Sequence, residues 1–282
     1  MRRPDYDRRV AVTGLGIISP VGTSIESAWA NLVNGVSGLN RITRWDPEVT
    51  DCHAAGEVND FDPKEWMNFK AVRRTDKNVV FGVAAAKQAM ADSGFEVDDE
   101  NADELGVYFG SGVGGPGLMA DAIETLGNKG AKGVSPFFIA NMLPDTASGQ
   151  IAIELGAKGP NMAIVTACST GTHNIGEAAE AIRRGDFIAG ICGSTETPLY
   201  EVGYVGFSNM RGMGTPREGR PLSDISRPFD RTRNGFVLGE GAGALMVEDL
   251  EHAKARGARI YAEVVGYGNA ADAWDLIQPV EK

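Results

Sequence analysis

The chain has 282 residues, of which 43% are hydrophobic and 23% charged, with a formal net charge of −11. That supplies a large core, as one big α/β domain or two smaller ones, and the 37 glycines require many tight turns. The acidic balance argues against a general nucleic-acid binder. No run is long enough to cross a bilayer, and three scattered cysteines (Cys52, Cys168, Cys192) suit neither a disulfide framework nor a zinc site.

The opening Met1–Arg9 is charged and lacks the apolar stretch of a signal peptide, which together with the cysteine usage points to the cytoplasm. Val10–Ile17 reads as a strand, followed by a helix over Ser24–Asn34 with Thr23 and Glu26 as a capping box and Gly35 as its stop. A second helix is predicted over Asp76–Asp92, then a strand over Leu105–Phe109. Asn161–Val165 is a short apolar run of the kind that forms a buried strand. Downstream, Ile175, Ala178, Ala179 and Ile182 carry helical spacing up to Gly185. Further strands are predicted over Phe187–Cys192 and over Gly235–Val247, where alternating glycines let one face meet another backbone closely. This alternation predicts a largely parallel sheet covered by helices. Val264-Val265-Gly266-Tyr267-Gly268 echoes Val12-Thr13-Gly14-Leu15-Gly16, a short repeat.

Cys168, in Thr166-Ala167-Cys168-Ser169-Thr170-Gly171-Thr172-His173, falls where a strand turns into a helix. There the unpaired N–H groups and the macrodipole favour an anion, and the thiolate is the reactive form of cysteine. A cysteine is also often a small inert hydrophobe, and position alone leaves both readings open. The histidines are His53, His173 and His252. His173 lies five residues past Cys168, a helical rotation of about 500° that puts the two on different faces. His252 sits in a charged surface-helix pattern and His53 in a polar loop, so none of the three is assigned a catalytic role.

Gly110-Ser111-Gly112-Val113-Gly114-Gly115 matches the dinucleotide fingerprint directly after a strand. Two features count against nucleotide binding: Pro116-Gly117 delays the receiving helix, and the segment from Gly127 to Ser135 lacks the acidic residue that a ribose needs. Lys70, Arg73 and Arg74 form a basic cluster in an acidic protein, which by itself is a solvated helix entry or a partner surface.

Thr-Ala-Cys-Ser-Thr-Gly resembles the nucleophile turn of the beta-ketoacyl-[acyl-carrier-protein] synthases, most of all their elongating branch. The resemblance extends in order through Val10–Gly16, Arg73–Asp76, Gly110–Gly115, Asn161–Gly171, Arg227–Asp230 and Gly235–Gly243. It implies a thiolase-like α/β fold of two similar halves, with residues 1–258 the N-terminal domain, a mixed sheet covered by helices, and 259–282 only the opening of the second, with its first strand expected over Ile260–Gly266. It implies Cys168 as the acyl-accepting nucleophile, and an acyl pocket at Val113, Phe138, Gly203 and Phe207. It implies an acyl carrier protein received at Lys70, Arg73, Arg74 and Arg211. No cofactor and no metal are implied. The family's two catalytic histidines belong to the second half, so this chain alone is expected to be inactive, and poorly soluble through its uncovered apolar face. The complete protein is expected to be a homodimer, each pocket completed by the partner's loop matching Phe137–Met142. Asn234, Tyr200-Glu201, and Asp275 and Ile277 depart from the family's Asp, Thr-Pro, and His and Thr, which bears on the phosphopantetheine contacts and chain length. A non-catalytic chain-length partner or a decayed paralogue is the alternative, weakened by the retained Cys168; a thiolase shares the fold but not this cysteine context.

Overall fold

The structure, a computed structural model, describes residues 8–275, 277 and 280. The charged opening read over residues 1–7, and residues 276, 278–279 and 281–282 of the expected second-half opening, lie outside the described residues.

Strand β1 (Val10–Ile18) leads into α1 (Ile25–Val33). Ser24, not Thr23, is the N-cap, and Ser27 rather than Glu26 closes the capping box. The hydroxyl of Ser27 reaches the Ser24 backbone N–H that a longer side chain was expected to satisfy. A small ribbon, β2 (Asn40–Arg41) with β3 (Ala54–Ala55), and the short α2 (Phe69–Val72) precede α3 (Lys77–Ser93). The predicted second helix is thus found within a residue at each end, capped by Asp76, which accepts from the Asn78 N–H, and stopped by left-handed Gly94. Next come β4 (Leu105–Gly110), α4 (Pro116–Lys129), α5 (Phe138–Met142), α6 (Thr146–Leu155) and β5 (Asn161–Met162). The chain continues through α7 (Thr170–Arg184), β6 (Ala189–Glu196), α8 (Glu201–Asn209), β7 (Gly241–Asp249), α9 (Leu250–Ala255) and β8 (Ala262–Glu263).

The main sheet runs β5-β4-β6-β7-β1-β8. Only β5 and β6 lie parallel to β4; β7 is antiparallel to both β6 and β1, and β8 is antiparallel to β1. The sheet is therefore mixed, as the family resemblance implies, rather than largely parallel, as the strand–helix alternation alone predicts. An antiparallel neighbour needs no crossover helix, and the long excursion that holds α8 returns the chain beside β6 in the opposite direction. Within Gly235–Val247 only Gly241 onward is strand, and the strand predicted over Phe187–Cys192 begins at Ala189 and runs on to Glu196. In the expected opening of the second half the strand is short: Ala262 and Glu263 pair with Val12 and Ala11.

Alternation along the strands separates two cores. Leu105, Val107, Phe109, Ile191 and Met246 face α3 and α6, while Tyr108, Cys192 and Val247 face α7. In β1 the pairing register slips between Val12 and Gly14. This bulge exchanges the faces: Val10 and Val12 belong to the α7 side, whereas Ile18 belongs to the α3 side. Buried Phe81, Phe109 and Phe187 anchor these layers, each worth on the order of 2–3 kcal/mol relative to exposure. Among the described residues no helix is long and apolar enough to cross a membrane.

Candidate active site

The backbone entering Cys168 is held by side chains. Asn161 and Met162 pair with β4, but Ala163–Val165 leave the sheet. The reason is the buried Asn174 of α7, whose amide accepts from the Ile164 N–H and donates to the Ile164 carbonyl, both at 3.1 Å. It takes both groups that a neighbouring strand would otherwise use. The Thr166 N–H then donates to Thr170 Oγ1 at 3.0 Å. Ala167 turns into the left-handed region at φ 50°, a conformation unfavourable for a residue with a Cβ and retained only where the surroundings impose it. A single 3-10 turn, Ala167–Ser169, carries Cys168 directly onto the start of α7, whose N-cap Ser169 makes no side-chain capping bond.

Cys168 is exposed, whereas Cys52 and Cys192 are buried. Burial drives the Cys192 thiol far above its ordinary value, so it is inert as a nucleophile at neutral pH. Cys168 opens onto a groove of about 470 Å³ between α7 and the sheet, lined among others by Leu15 and Ile17 of β1, Gly193 and Ser194 of β6, Leu245 of β7 and Ile175. An exposed thiol at the uncapped start of a 15-residue helix, beside an apolar trough, suits covalent capture of an apolar acyl group. The histidines are engaged elsewhere: His252 Nδ1 lies 3.0 Å from Glu248, His53 Nε2 lies 3.5 Å from Glu48, and the His173 ring meets Tyr267 at 6.0 Å.

The glycine-rich turn after β4 has its amides occupied. Gly112 N–H donates to Glu196 at 2.7 Å, and Gly114 N–H donates to Ser111 Oγ at 2.7 Å. The Leu118 N–H of α4 points to Asp76 at 3.4 Å. Carboxylates of the chain itself thus sit where a pyrophosphate would have to lie, a physical reason beyond the sequence pattern for discounting the dinucleotide reading. Glu196, Asp76, Ser111, Thr170 and Asn174 were not singled out from sequence. Their signal would have been polar residues at positions that the helix and strand periodicities bury.

The expected pocket and docking residues are only partly gathered. Phe138 starts α5 and shares a small cavity with Arg73 and Arg74, and Arg74 stacks on the Phe137 ring at 4.3 Å. Arg73 lies over Phe69 at 5.8 Å, and Lys70 is exposed in α2. Val113 is exposed in the glycine-rich turn, and Gly203 and Phe207 lie on α8, where the Phe207 ring meets Phe236 edge-on at 5.8 Å. None of Val113, Phe138, Gly203 and Phe207 lines the groove at Cys168. Arg211 follows α8 with φ 59°. Of the departures from the family pattern, Tyr200 donates to Asp76 at 3.4 Å, Asn234 donates to Thr215 Oγ1 at 2.9 Å, and the Ile277 N–H donates to Asp275 at 2.8 Å.

Residues 7–253 match the family described as "Beta-ketoacyl synthase, N-terminal domain". The 3-oxoacyl-[acyl-carrier-protein] synthase 2 of Staphylococcus aureus (strain N315) is 44% identical over 273 residues, covering 97% of this chain and 65% of that protein. This chain therefore spans about two thirds of that relative's length. A beta-ketoacyl synthase from Burkholderia phymatum STM815 superposes with a TM-score of 0.84 at 31% identity, covering 95% of this chain and 65% of that one. A type II PKS ketosynthase solved with its acyl-carrier protein and a bound hexaketide, AntDE:AntF, gives 0.79 at 29% identity, with 91% and 62% covered. The mixed sheet with helices on both faces is the thiolase-like fold of these ketosynthases. With the fold, the order of motifs and the cysteine turn all in agreement, the chain belongs to the beta-ketoacyl synthase family, across its N-terminal domain.

Proposed function

We propose that this chain is the nucleophile-bearing part of an elongating condensing enzyme of fatty-acid or polyketide synthesis. The Cys168 thiolate attacks the carbonyl of an acyl thioester and releases the carrier's thiol, leaving acyl-Cys168. Malonyl-carrier protein then loses carbon dioxide to give an enolate. The enolate carbon attacks the acyl-Cys168 carbonyl, and the Cys168 thiolate departs. The product is a 3-ketoacyl chain two carbons longer, still on the carrier. The Cys168 N–H supplies one half of the oxyanion hole. In this reading residues 1–258 form the N-terminal synthase domain and 259–282 open the C-terminal one, which contributes the histidines that promote decarboxylation.

The observation that carries the reading is the exposed Cys168 at the uncapped start of α7, facing an apolar groove. The partner is an acidic acyl carrier protein, received at Lys70, Arg73, Arg74 and Arg211. The AntDE:AntF complex, a relative holding its acyl-carrier protein, supports the choice of an acyl carrier protein as partner. The intact enzyme is a cytoplasmic homodimer in which the loop of Phe137–Met142 completes the partner's pocket around Val113, Phe138, Gly203 and Phe207. Incubation of the intact enzyme with acyl- and malonyl-carrier protein, with adducts mapped by mass spectrometry, tests the assignment. Acyl-Cys168 and ketoacyl product are expected; acylation of Cys52 or Cys192 instead, or full turnover by Cys168→Ala, refutes it.

A further inference from the structure

Glu196, at the end of β6, is a half-buried carboxylate whose hydrogen bonds come from one turn of chain. Ser111 Oγ donates to it at 2.9 Å and the Gly112 N–H at 2.7 Å, and the Val113 N–H also faces it. Ser111, fully buried, in turn accepts from the Gly114 N–H at 2.7 Å. Successive amides of the turn are thereby gathered into a concave nest around one anion.

The nest abuts the nucleophile. A side chain added at Gly112 would lie 2.9 Å from the Glu196 carboxylate and 3.2 Å from both the Cα and the carbonyl oxygen of Ala167. Gly112 is therefore a spacer with no room to spare, clamped between Glu196 and the residue that precedes Cys168. Ala167 is the residue held at a left-handed φ, and such a conformation persists only where neighbours over-determine it.

We infer that Glu196 is a positioning residue for Cys168, acting through the Ser111–Val113 turn that it pins against Ala167. The inference rests on the reading of Cys168 as nucleophile. Without the carboxylate the turn loses its anchor, Ala167 is free to relax toward an ordinary φ, and the thiol swings away from the start of α7. The role belongs to the hydrogen bonds rather than to the charge. Asp76, a buried carboxylate near this turn, faces Glu196 and, like burial, opposes its ionisation; in Glu196→Gln the amide oxygen keeps the Gly112 N–H bond while the NH₂ group meets Ser111 Oγ, a hydroxyl that can accept as well as donate.

The test is the rate at which iodoacetamide alkylates each cysteine of the intact protein, followed by mass spectrometry, with thermal melts alongside. Buried Cys52 and Cys192 report global unfolding within the same sample. Glu196→Ala and Ser111→Ala are expected to slow Cys168 alkylation about tenfold while Cys52 and Cys192 stay protected, and Glu196→Gln to restore the rate to within about twofold of wild type. Unchanged Cys168 rates in Glu196→Ala and Ser111→Ala would overturn the inference. So would equal slowing in Glu196→Ala and Glu196→Gln. If Glu196→Ala does not fold, Ser111→Ala and Glu196→Gln decide by the same criteria. A wild-type protein in which Cys168 reacts no faster than Cys52 and Cys192 would remove the nucleophile reading itself, and this inference with it.

Discussion

Replacing Glu240 by Gln probes a heavily partnered buried carboxylate. Its buried side chain accepts a bidentate pair of bonds from Arg44, one from Lys77 Nζ at 2.7 Å and one from the Val58 N–H at 2.9 Å. Burial alone would raise this carboxyl, but the hydrogen bonds from Arg44 and Lys77, with the Lys77 charge and the Val58 amide, more than offset it and hold it below the usual carboxylate range. Gln keeps the shape, yet one amide oxygen replaces two acceptors and the amide NH₂ must face a donor. Breaking a fully buried pair from one side costs about 3–5 kcal/mol. Arg44 and Lys77 remain 29% and 35% exposed, so water reaches the orphaned cations and the loss should fall to about 2–3 kcal/mol. For a chain of this size that corresponds to a Tm about 3–5 °C lower.

The pH dependence carries the sign. A carboxyl whose folded-state pKa is depressed contributes stability above its unfolded pKa and loses it as pH falls through the folded value. The gap between wild type and Glu240→Gln should therefore be full at pH 7 and close progressively below about pH 4. Lys77→Met should cost less, because burial already pushes the Lys77 ammonium toward its neutral form and outweighs the pairing with Glu240. Urea titrations from pH 3.5 to 7 measure all three proteins. A gap below about 1 kcal/mol at pH 7, or one that does not narrow in acid, would refute the reasoning.

Three further outcomes are expected. A methyl group at Gly16 would lie 1.9 Å from the Ala85 carbonyl oxygen, so Gly16→Ala must push β1 off α3 and should lower stability by more than about 2 kcal/mol in a thermal or urea melt. Reversing charge at Arg73 and Arg74 should raise the KM for carrier protein about tenfold and flatten its salt dependence with kcat little changed; an unaltered KM would dismiss the docking surface. Sedimentation of the intact enzyme should show a dimer at micromolar concentration, and a monomer would discard the shared pocket.

What could be read from the residues depended on whether neighbours in sequence were also neighbours in space. The helix over Lys77–Ser93 was legible because Asp76 and Gly94, its two ends, lie beside it in the chain. The Cys168 turn was legible for the same reason. The bulge in β1 was not, since it is set by pairing with β7 more than two hundred residues away, and Thr13 at the slip hydrogen-bonds Glu248. The strand expected over Asn161–Val165 failed after two residues because Asn174, on the following helix, takes the backbone of Ile164. Within the candidate site the cysteine was picked out and the side chains around it were missed. Glu196 and Ser111 lie 85 residues apart in sequence and meet only once β4 and β6 pair in register.

Four carboxylates whose ionisation burial opposes fall into two physical classes. Glu240 and Glu248, away from Cys168, are opposed by burial but stabilised as anions by cations, through Arg44 and Lys77 in one case and Arg256 in the other, with both carboxyls lowered. Asp76 and Glu196, around the glycine-rich turn, are raised by burial and held by N–H and O–H donors with no guanidinium or ammonium among them. The two classes must titrate with opposite slopes. A carboxyl raised by folding costs stability as pH rises through its folded value, since the folded state then holds the extra proton and has to give it up. Relative to wild type, Glu196→Gln should therefore gain stability between about pH 4 and pH 7 while Glu240→Gln loses it over the range just below. Parallel urea midpoints across that range decide the matter, and slopes of the same sign would show that Glu196 is paired like Glu240 rather than cradled by the turn.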